Sequence, residues 1–199
     1  MPDGLSWELL LAAAVGYLLG SIPFGLLLTR LSGKGDIRDI GSGNIGTTNV
    51  LRTGSRPLAA LTLAGDVVKG TIAVLIGAAV GELTALIAGF AAFLGHLFPI
   101  WLKFHGGKGA ATFLGVLAGL SWWLAVVFAA VWLISAATTR YSSASALAAS
   151  ASAALVLIFS GPAATAIGVS LMALILWVRH HDNIRRLLAG TESRIGNRA

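Results

Sequence analysis

Two long stretches without a charged side chain constrain this 199-residue chain more than any other feature. One covers residues 109–139 and the other residues 141–178, which are 31 and 38 residues long. Because a helix needs about 20 apolar residues to cross the hydrocarbon core of a bilayer, the longer stretch predicts two crossings. The chain is 56% hydrophobic and 11% charged, whereas soluble proteins are about 25% charged. These features indicate an integral membrane protein.

Three further apolar segments cover residues 9–29, 57–80 and 83–102. The 31-residue stretch is too long for one comfortable crossing, so we divide it near residues 119–122 into two spans, the first of them short. Ser, Gly and Pro at 160–162 predict the turn that divides the 38-residue stretch. The apolar pattern therefore predicts seven transmembrane helices.

The basic residues predict the orientation of these helices. Thirteen of the fourteen lysines and arginines fall in four clusters, at 30–56, 103–108, Arg140 and 179–198. Since cytoplasmic loops carry an excess of lysine and arginine, all four clusters should face the cytoplasm, which requires two crossings between successive clusters. We expect one all-α membrane domain over residues 1–199, with the amino end outside and the carboxyl end in the cytoplasm. The opposite side then receives only Asp3, Glu8 and Glu82.

Composition also argues against several classes of function. The net charge of +6 could suggest nucleic acid, but in a polytopic membrane protein basic residues mark the cytoplasmic loops, and we expect no nucleic-acid partner. Without cysteine there is neither a disulfide framework nor a thiol nucleophile. The four histidines lack the spacing of a zinc site, and no acidic cluster suits magnesium, so we expect no metal and no cofactor.

A glycine-rich segment at residues 41–52 is the first of three polar motifs. Its three glycines let the backbone turn through positive φ and bring N–H groups close to a ligand, and an arginine beside such groups favours an anion. The letters also match the dinucleotide fingerprint, but no strand precedes them and no βαβ unit frames them. We interpret the segment as a phosphate-binding loop at the membrane surface. Its candidate residues are Gly41, Ser42, Gly43, Asn44, Thr48, Asn49 and Arg52.

The second motif is a Gly-Gly-Lys-Gly segment just before an apolar helix. It lacks the spaced glycine and the Ser or Thr of a P-loop, so nucleotide binding does not follow. The N–H groups at a helix start and a nearby lysine nevertheless attract phosphate. A juxtamembrane lysine can equally be a topology determinant or a contact to lipid headgroups. The candidate residues are Gly106, Gly107, Lys108, Gly109 and Thr112.

The third motif covers residues 180–192. His180 and Asn183 are three residues apart and share a helical face, where they can orient a substrate hydroxyl or accept its proton. The alternative is a capped final helix with a solvated basic face. Glu192 is a further candidate in this motif.

Ionisable residues also lie inside the predicted spans. Asp66 and Lys69 are three apart and can form a neutralising pair within the membrane. Alternatively, Lys69 lies near the cytoplasmic end of its helix and helps to attract phosphate. His96, at an apolar helix end, is either a hydrogen-bonded structural histidine or a site residue.

The three motifs together resemble the bacterial membrane glycerol-3-phosphate acyltransferases that use acyl phosphate. The matching stretches are GSGNIGTTNVLR, GHLFPIWLKFHGGKGAAT and HHDNIRRLLAGTE, and the resemblance covers essentially the whole chain. Asp182 and Thr191 depart from the usual pattern but touch no position that we assign to chemistry. The resemblance implies a seven-helix inner-membrane enzyme with its site facing the cytoplasm. It would transfer an acyl chain to position 1 of glycerol 3-phosphate, giving lysophosphatidate and phosphate, the first step of phospholipid synthesis.

The expected partners are acyl phosphate, glycerol 3-phosphate and membrane lipid, and we expect a monomer. Because acyl phosphate is an activated mixed anhydride, the enzyme mainly has to position two phosphorylated substrates, which can supply ~7 to 11 kcal/mol. Arg52 and Lys108 are assigned to the phosphates, with Ser42 completing the loop. Asn183 and His180 orient the hydroxyl, and either His180 or a substrate phosphate oxygen is the base.

Two other classes of function are compatible with the same residues. A transporter of phosphate or phosphorylated metabolites also uses basic residues and broken helices. Against transport, the polar motifs concentrate at one face and no inverted repeat is visible. A structural lipid-binding protein would show neither turnover nor transport.

Overall fold

The computed structural model describes residues 7–196, so Asp3 and Arg198, which entered the charge argument, lie outside the described residues. Within this range the regular structure is helical and contains no strand. The α-helices are α1 (Trp7–Gly20), α2 (Phe24–Leu31), α3 (Thr47–Leu51), α4 (Arg56–Ala78), α5 (Glu82–Leu97), α6 (Ala110–Leu120), α7 (Trp122–Thr139), α8 (Ser142–Ser160), α9 (Ala163–Arg179) and α10 (His181–Leu188).

The long apolar helices follow the charge-free stretches of the sequence. Five segments are long and apolar enough to cross a membrane, and α9 with α10 makes a sixth if this pair, bent by 61°, counts as one span. The 31-residue stretch is interrupted at Ser121, inside the predicted division, and the 38-residue stretch at Gly161 and Pro162. With 11 residues, α6 is short for a crossing. Seven spans and their orientation therefore stay predictions.

Small residues let the helices pack at backbone distance. Gly16 of α1 lies against Ala88 of α5, and Gly20 lies against Ala92, so the two helices run in the same direction. A Cβ on Gly20 would lie 1.9 Å from the carbonyl oxygen of Ala92. In lipid, where apolar surface gains nothing by leaving water, such close van der Waals packing through small residues stabilises helix pairs.

Several helices begin or end at one level of the bundle. The helical structure is interrupted between α1 and α2, where the carbonyl oxygen of Ile22 accepts a hydrogen bond from Lys69 Nζ at 2.8 Å. The same ammonium lies 3.0 Å from Nδ1 of His96, next to the end of α5. Helix α6 begins here too, because Thr112 in its first turn packs against Gly70. Since α4 begins 13 residues before Lys69, it extends about 20 Å beyond this level at 1.5 Å per residue.

Two hydrophobic clusters hold this framework. The larger one joins α4 to α9 and contains Phe93, Phe113 and Phe128, whose neighbouring ring centroids are 6.0 Å and 5.5 Å apart. The smaller one lies under the glycine-rich loop and contains Leu26, Ile37, Ile45, Val50 and Ala59. The loop is therefore fixed on α2 and α4 by its own buried apolar side chains.

Candidate functional site

The side chain of Asn49 organises the glycine-rich loop. Its amide nitrogen donates to the carbonyl oxygens of Ile37, Ile40 and Asn44 at 2.8–3.0 Å, and its amide oxygen accepts from the Ser42 N–H at 3.1 Å. Asn49 is 2% exposed. Because its donors and acceptor are already engaged, Asn49 holds the loop in shape. Its role in binding phosphate stays a prediction.

The loop glycines differ in conformation. Gly41 and Gly43 have positive φ, 57° and 68°, as predicted, whereas Gly46 has a φ of −83°, so the expectation was wrong for Gly46. Gly46 instead donates its N–H to the Asn44 side chain at 2.8 Å, which closes a local turn. A Cβ on Gly41 would lie 2.6 Å from the Asn49 amide oxygen. Gly41 is thus required both for its backbone angle and for its close contact with Asn49.

Arg52 carries the positive charge of this loop. One guanidinium nitrogen donates to Asn49 at 3.1 Å and another to the Ser193 hydroxyl at 2.6 Å. Among residues 7–196, no carboxylate oxygen lies within 4.0 Å of this guanidinium. Its charge is therefore available to an anion. Thr48, from the same loop, exchanges a hydrogen bond with Ser142 at 2.9 Å, so the loop also touches the start of α8.

In the second motif the lysine side chain reaches the third motif, whereas the N–H groups of Gly106 and Gly107 are engaged by the protein itself. The N–H of Gly106 donates to Leu97 O and that of Gly107 to His96 O, both at 3.0 Å. These two N–H groups are therefore engaged within the protein, and a contact of Gly106 or Gly107 with phosphate stays a prediction. Gly107 has a packing role, because a Cβ there would lie 2.0 Å from His96 Nε2. Gly109, with a φ of 93°, precedes α6, whose first N–H groups have no partner within the helix.

Thr112 does not join the other predicted residues. It is fully buried, and its hydroxyl has no hydrogen-bond partner among the described residues. Its carbonyl oxygen would lie 2.7 Å from a Cβ on Gly70, which places this turn of α6 tightly against α4. Thr112 is thus packed between helices, and its contact with a phosphate stays a prediction.

Lys108 meets the third motif through Asn183. The lysine ammonium donates to the Asn183 amide oxygen, and the Asn183 amide nitrogen donates to Glu192 Oε1 at 2.6 Å. Glu192 also accepts from the Ser143 hydroxyl at 2.8 Å and from Arg186 Nε at 2.6 Å. This chain of contacts joins two motifs that are 75 residues apart in the sequence.

Burial and charge change the pKa of groups in this network. Burial, followed by the positive charge of Arg186, lowers the pKa of Lys108. Burial would raise the pKa of Glu192, but hydrogen bonds from Asn183, Arg186 and Ser143 outweigh it and lower this pKa overall. The site at neutral pH therefore contains an ionised carboxylate that neutralises Arg186. Lys108 has no carboxylate oxygen within 4.0 Å among residues 7–196.

His180 lies between α9 and α10, three residues before Asn183. Both side chains are buried, at 4% and 7% exposure. Nδ1 of His180 lies 2.8 Å from the carbonyl oxygen of Leu176, which can only accept a hydrogen bond. Nδ1 therefore carries the proton, and Nε2 of the neutral ring keeps its lone pair. Burial lowers the pKa of His180 to about 4.

The ionisable residues within the spans form a network of their own. Asp66 Oδ1 lies 2.8 Å from Lys69 Nζ, and both side chains are 2% exposed, which is the predicted neutralising pair. The alternative position of Lys69 near the end of its helix is wrong, because it lies near the middle of α4. His96 contacts Lys69 through Nδ1 and packs against Gly107 on its other side. This geometry favours the structural interpretation of His96.

The three polar motifs meet through the carboxyl-terminal residues. Arg52 touches Ser193, Lys108 touches Asn183, and Glu192 joins Asn183. We call the region of these contacts the polar end of the bundle.

Sequence reasoning missed several residues here, because serines in an Ala/Ser-rich run and arginines in a basic tail are typical of helix packing and topology. The missed residues are Ser142, Ser143, Arg186 and Ser193.

The fold and this site define the class of the protein: a polytopic α-helical membrane protein whose loops build a basic, hydrogen-bonding site at one end of the bundle. The family model described as "Glycerol-3-phosphate acyltransferase" matches residues 10–190. The chain belongs to the glycerol-3-phosphate acyltransferase family.

Relatives named glycerol-3-phosphate acyltransferase match nearly the whole chain. The Brucella canis protein is 58% identical over 98% of this chain and 97% of its own length. The Nitrobacter winogradskyi protein is also 58% identical, over 100% of this chain and 99% of its own.

Two solved structures of PlsY, described as an integral membrane glycerol 3-phosphate acyltransferase, have the same fold. Its glycerol 3-phosphate form has a TM-score of 0.90 and 37% identity, covering 94% of this chain and 96% of that one. Its lysophosphatidic acid form has a TM-score of 0.87 and 36% identity, covering 94% and 95%.

Proposed function

We propose that this protein transfers an acyl group from acyl phosphate to the 1-hydroxyl of glycerol 3-phosphate, giving lysophosphatidate and inorganic phosphate. The observation that carries the proposal is the meeting of Arg52, Lys108 and Asn183 at the polar end through contacts with the carboxyl-terminal segment. The two similar PlsY structures are its glycerol 3-phosphate form and its lysophosphatidic acid form, and these molecules are a substrate and product pair of this reaction type. In a cell the reaction would be the first step of phospholipid synthesis.

The charge of the site supports two phosphorylated substrates. A phosphate monoester carries about −1.5 to −2 charges at neutral pH. Arg52 and Lys108 face no carboxylate oxygen within 4.0 Å among residues 7–196, whereas Glu192 neutralises Arg186. Arg52 and Lys108 can therefore each bind one phosphate group. Ser42 lies beside Arg52 in the loop that Asn49 holds, where its hydroxyl can complete the cradle.

The proposed reaction forms an ester bond and breaks the mixed anhydride. The glycerol hydroxyl oxygen attacks the acyl carbonyl carbon, and the bond from this carbon to the phosphate oxygen breaks, with its electron pair leaving on phosphate. Asn183 orients the hydroxyl while Lys108 stabilises the leaving phosphate. The hydroxyl proton goes either to His180 Nε2, whose lone pair is free in the neutral ring, or to a phosphate oxygen. Positioning of the two substrates supplies most of the rate enhancement.

The placement in the membrane is part of the proposal. We infer seven spans with α6 as a short crossing, the amino end outside, and the site facing the cytoplasm of a bacterial inner membrane, because the basic clusters then share one side. We also infer that the protein acts as a monomer. Since the chain contains no cysteine, two variants with a single cysteine each, Gly54→Cys and Gly81→Cys, can be tested with a membrane-impermeant thiol label on sealed vesicles. The inferred topology requires that the two cysteines are labelled from opposite sides of the membrane.

The activity is tested with purified protein by measuring phosphate release. Acyl phosphate should release phosphate only when glycerol 3-phosphate is present, and acyl-CoA should not replace it as the donor. Arg52→Ala and Lys108→Ala should each lower the rate by about 10- to 100-fold, since a hydrogen bond to a charged group contributes about 1.5–3 kcal/mol. Arg185→Ala, whose side chain is 80% exposed, is the control and should retain the rate. Unchanged rates in both site variants would refute the assignment, and uptake of glycerol 3-phosphate into vesicles without chemical change would favour a transporter.

A further inference from the structure

Arg179 is a cation beside the site that neither the motifs nor the proposed mechanism uses. It is the last residue of α9 and directly precedes His180. Among residues 7–196, no carboxylate oxygen lies within 4.0 Å of its guanidinium. In the described part of the chain the buried Nε atom finds no hydrogen-bond partner, and Nη2 makes a long bond of 3.4 Å to the carbonyl oxygen of Gly107. Buried donors are rarely left in this condition, so this guanidinium retains binding capacity.

The guanidinium lies between the end of α5 and the Lys108 loop. Its Cζ atom is 5.3 Å from the centroid of the Phe98 ring, which follows the end of α5. Its partner Gly107 directly precedes Lys108. The positive charge of Arg179 is among the influences that lower the pKa of Lys108, after burial and Arg186, which places the two cations within electrostatic range of each other. An anion bound by Lys108 would therefore also be attracted by Arg179.

Arg52 hydrogen-bonds to Asn49 and to Ser193, and Ser193 is exposed. The two arginines thus differ in surroundings: Arg52 contacts a solvent-exposed segment, and Arg179 contacts an aromatic ring where two apolar helices end. Glycerol 3-phosphate has no apolar part and reaches the site from water. A donor with a long acyl chain keeps that chain among apolar side chains. Its phosphate therefore lies at the boundary between the apolar helices and the polar loops.

We propose that Arg179 binds the phosphate group of the acyl donor, so that donor and acceptor phosphates are held by different arginines. This inference rests on the proposed function, because it assumes a donor that carries both a phosphate and an acyl chain. The planar guanidinium can bind two phosphate oxygens at once while its face stays on Phe98. A lysine would keep the charge but lose this two-point contact.

The inference is tested by binding as well as by turnover. The probe is a long-chain acyl phosphonate, which cannot transfer its acyl group, titrated into purified protein by calorimetry without glycerol 3-phosphate. Arg179→Gln removes the charge at similar size, and Arg179→Lys keeps the charge. Arg185→Gln, on the exposed side of α10, is the matched control. We expect Kd for the phosphonate to rise about 10- to 100-fold in Arg179→Gln, less in Arg179→Lys, and not in Arg185→Gln.

Steady-state kinetics separate donor binding from a structural role. In Arg179→Gln, KM for acyl phosphate should rise about 10-fold or more, while KM for glycerol 3-phosphate changes less than about 2-fold. A merely structural role through Phe98 would raise both KM values together and lower Tm in the lysine variant as well. Unchanged phosphonate affinity in Arg179→Gln, or an equal rise in both KM values, overturns the inference.

The same experiment distinguishes this inference from the proposed function. If the wild-type protein binds the phosphonate through Arg179 but does not transfer acyl groups from acyl phosphate, the proposed function fails and the donor-type binding site stands. If the wild type transfers acyl groups while Arg179→Gln binds the phosphonate normally, the inference fails and the function stands.

Discussion

Replacing His180 with alanine separates the two candidate bases when the rate is followed over pH. The carbonyl oxygen of Leu176 fixes the proton on Nδ1, and burial lowers the pKa of this histidine to about 4. Lys108, Arg179 and Glu192 are the charged groups that influence it. His180 is therefore neutral, and able to accept a proton, throughout the physiological range. Any change in rate near pH 6 should come from the second ionisation of the substrate phosphates.

The lowered pKa sets the size of the expected effect. With a pKa of about 4, about 97% of His180 is neutral at about pH 5.5, whereas an imidazole with the ordinary value of about 6.5 would be about 9% neutral. If the histidine had its ordinary pKa, its contribution would fall about 10-fold between pH 8 and pH 5.5. The structure instead predicts a contribution that is constant over this range.

The assay measures kcat/KM for the wild type and for His180→Ala between pH 5.5 and 8, and compares their ratio. Taking the ratio removes the ionisation of the substrates, which both proteins share. A constant ratio of about 10² to 10⁴ identifies His180 as the base. A constant ratio near one assigns the proton to a substrate phosphate. A ratio that titrates with a midpoint near 6.5 would refute the argument from burial.

Folding must be checked at the acid end of this series. Because the folded state holds His180 neutral, the unfolded chain binds more protons between pH 6.5 and 4, and stability falls as the pH is lowered through this window. At pH 5.5 the loss from this group is about 1 kcal/mol relative to neutral pH. Tm of both proteins at each pH shows whether the rates refer to folded enzyme.

Two further substitutions test the parts of the fold that support the site. Gly107→Ala places a Cβ 2.0 Å from Nε2 of buried His96 and should lower the rate of phosphate release at least about 10-fold. The control Gly81→Ala has open space around its Cβ and should not change this rate. Equal rates in the two variants would contradict the packing argument. Lys69→Met removes the ammonium that lies 2.8 Å from Asp66 and should lower the free energy of unfolding, measured by detergent titration, by about 3–5 kcal/mol. The double variant Asp66→Asn with Lys69→Met should recover most of this stability. A double variant as unstable as the single one would show that the pair is not coupled.

The positions of the helices could be predicted because the cost of polar groups in lipid acts on each segment by itself. The interruption at Ser121 and the turn at Gly161 and Pro162 lie where the charge-free stretches exceed one bilayer thickness. The pairing of Asp66 with Lys69 followed from their spacing on one helix. In each case the relevant neighbours lie within a few residues of one another.

The contacts that the sequence could not predict involve groups whose partners lie elsewhere in the fold. The N–H groups of Gly106 and Gly107 donate to carbonyl oxygens at the end of α5, and Thr112 is packed against α4. Asn49 was expected to bind phosphate but holds its own loop. Within residues 7–196, Arg179 Nε has no hydrogen-bond partner, which the sequence could not indicate because Arg179 belongs to a basic cluster that was interpreted as a topology signal.

The membrane class, the places where helices can begin and end, the three polar motifs and the family resemblance could all be inferred from the residues alone. Hydropathy and charge, on which these depend, are properties of each residue. The tertiary structure alone decided which donors and charges remain available to a ligand, because a hydrogen bond or an ion pair depends on two groups at once. Lys108 and Asn183 are 75 residues apart, and only the packing of α5, α9 and α10 brings them into contact.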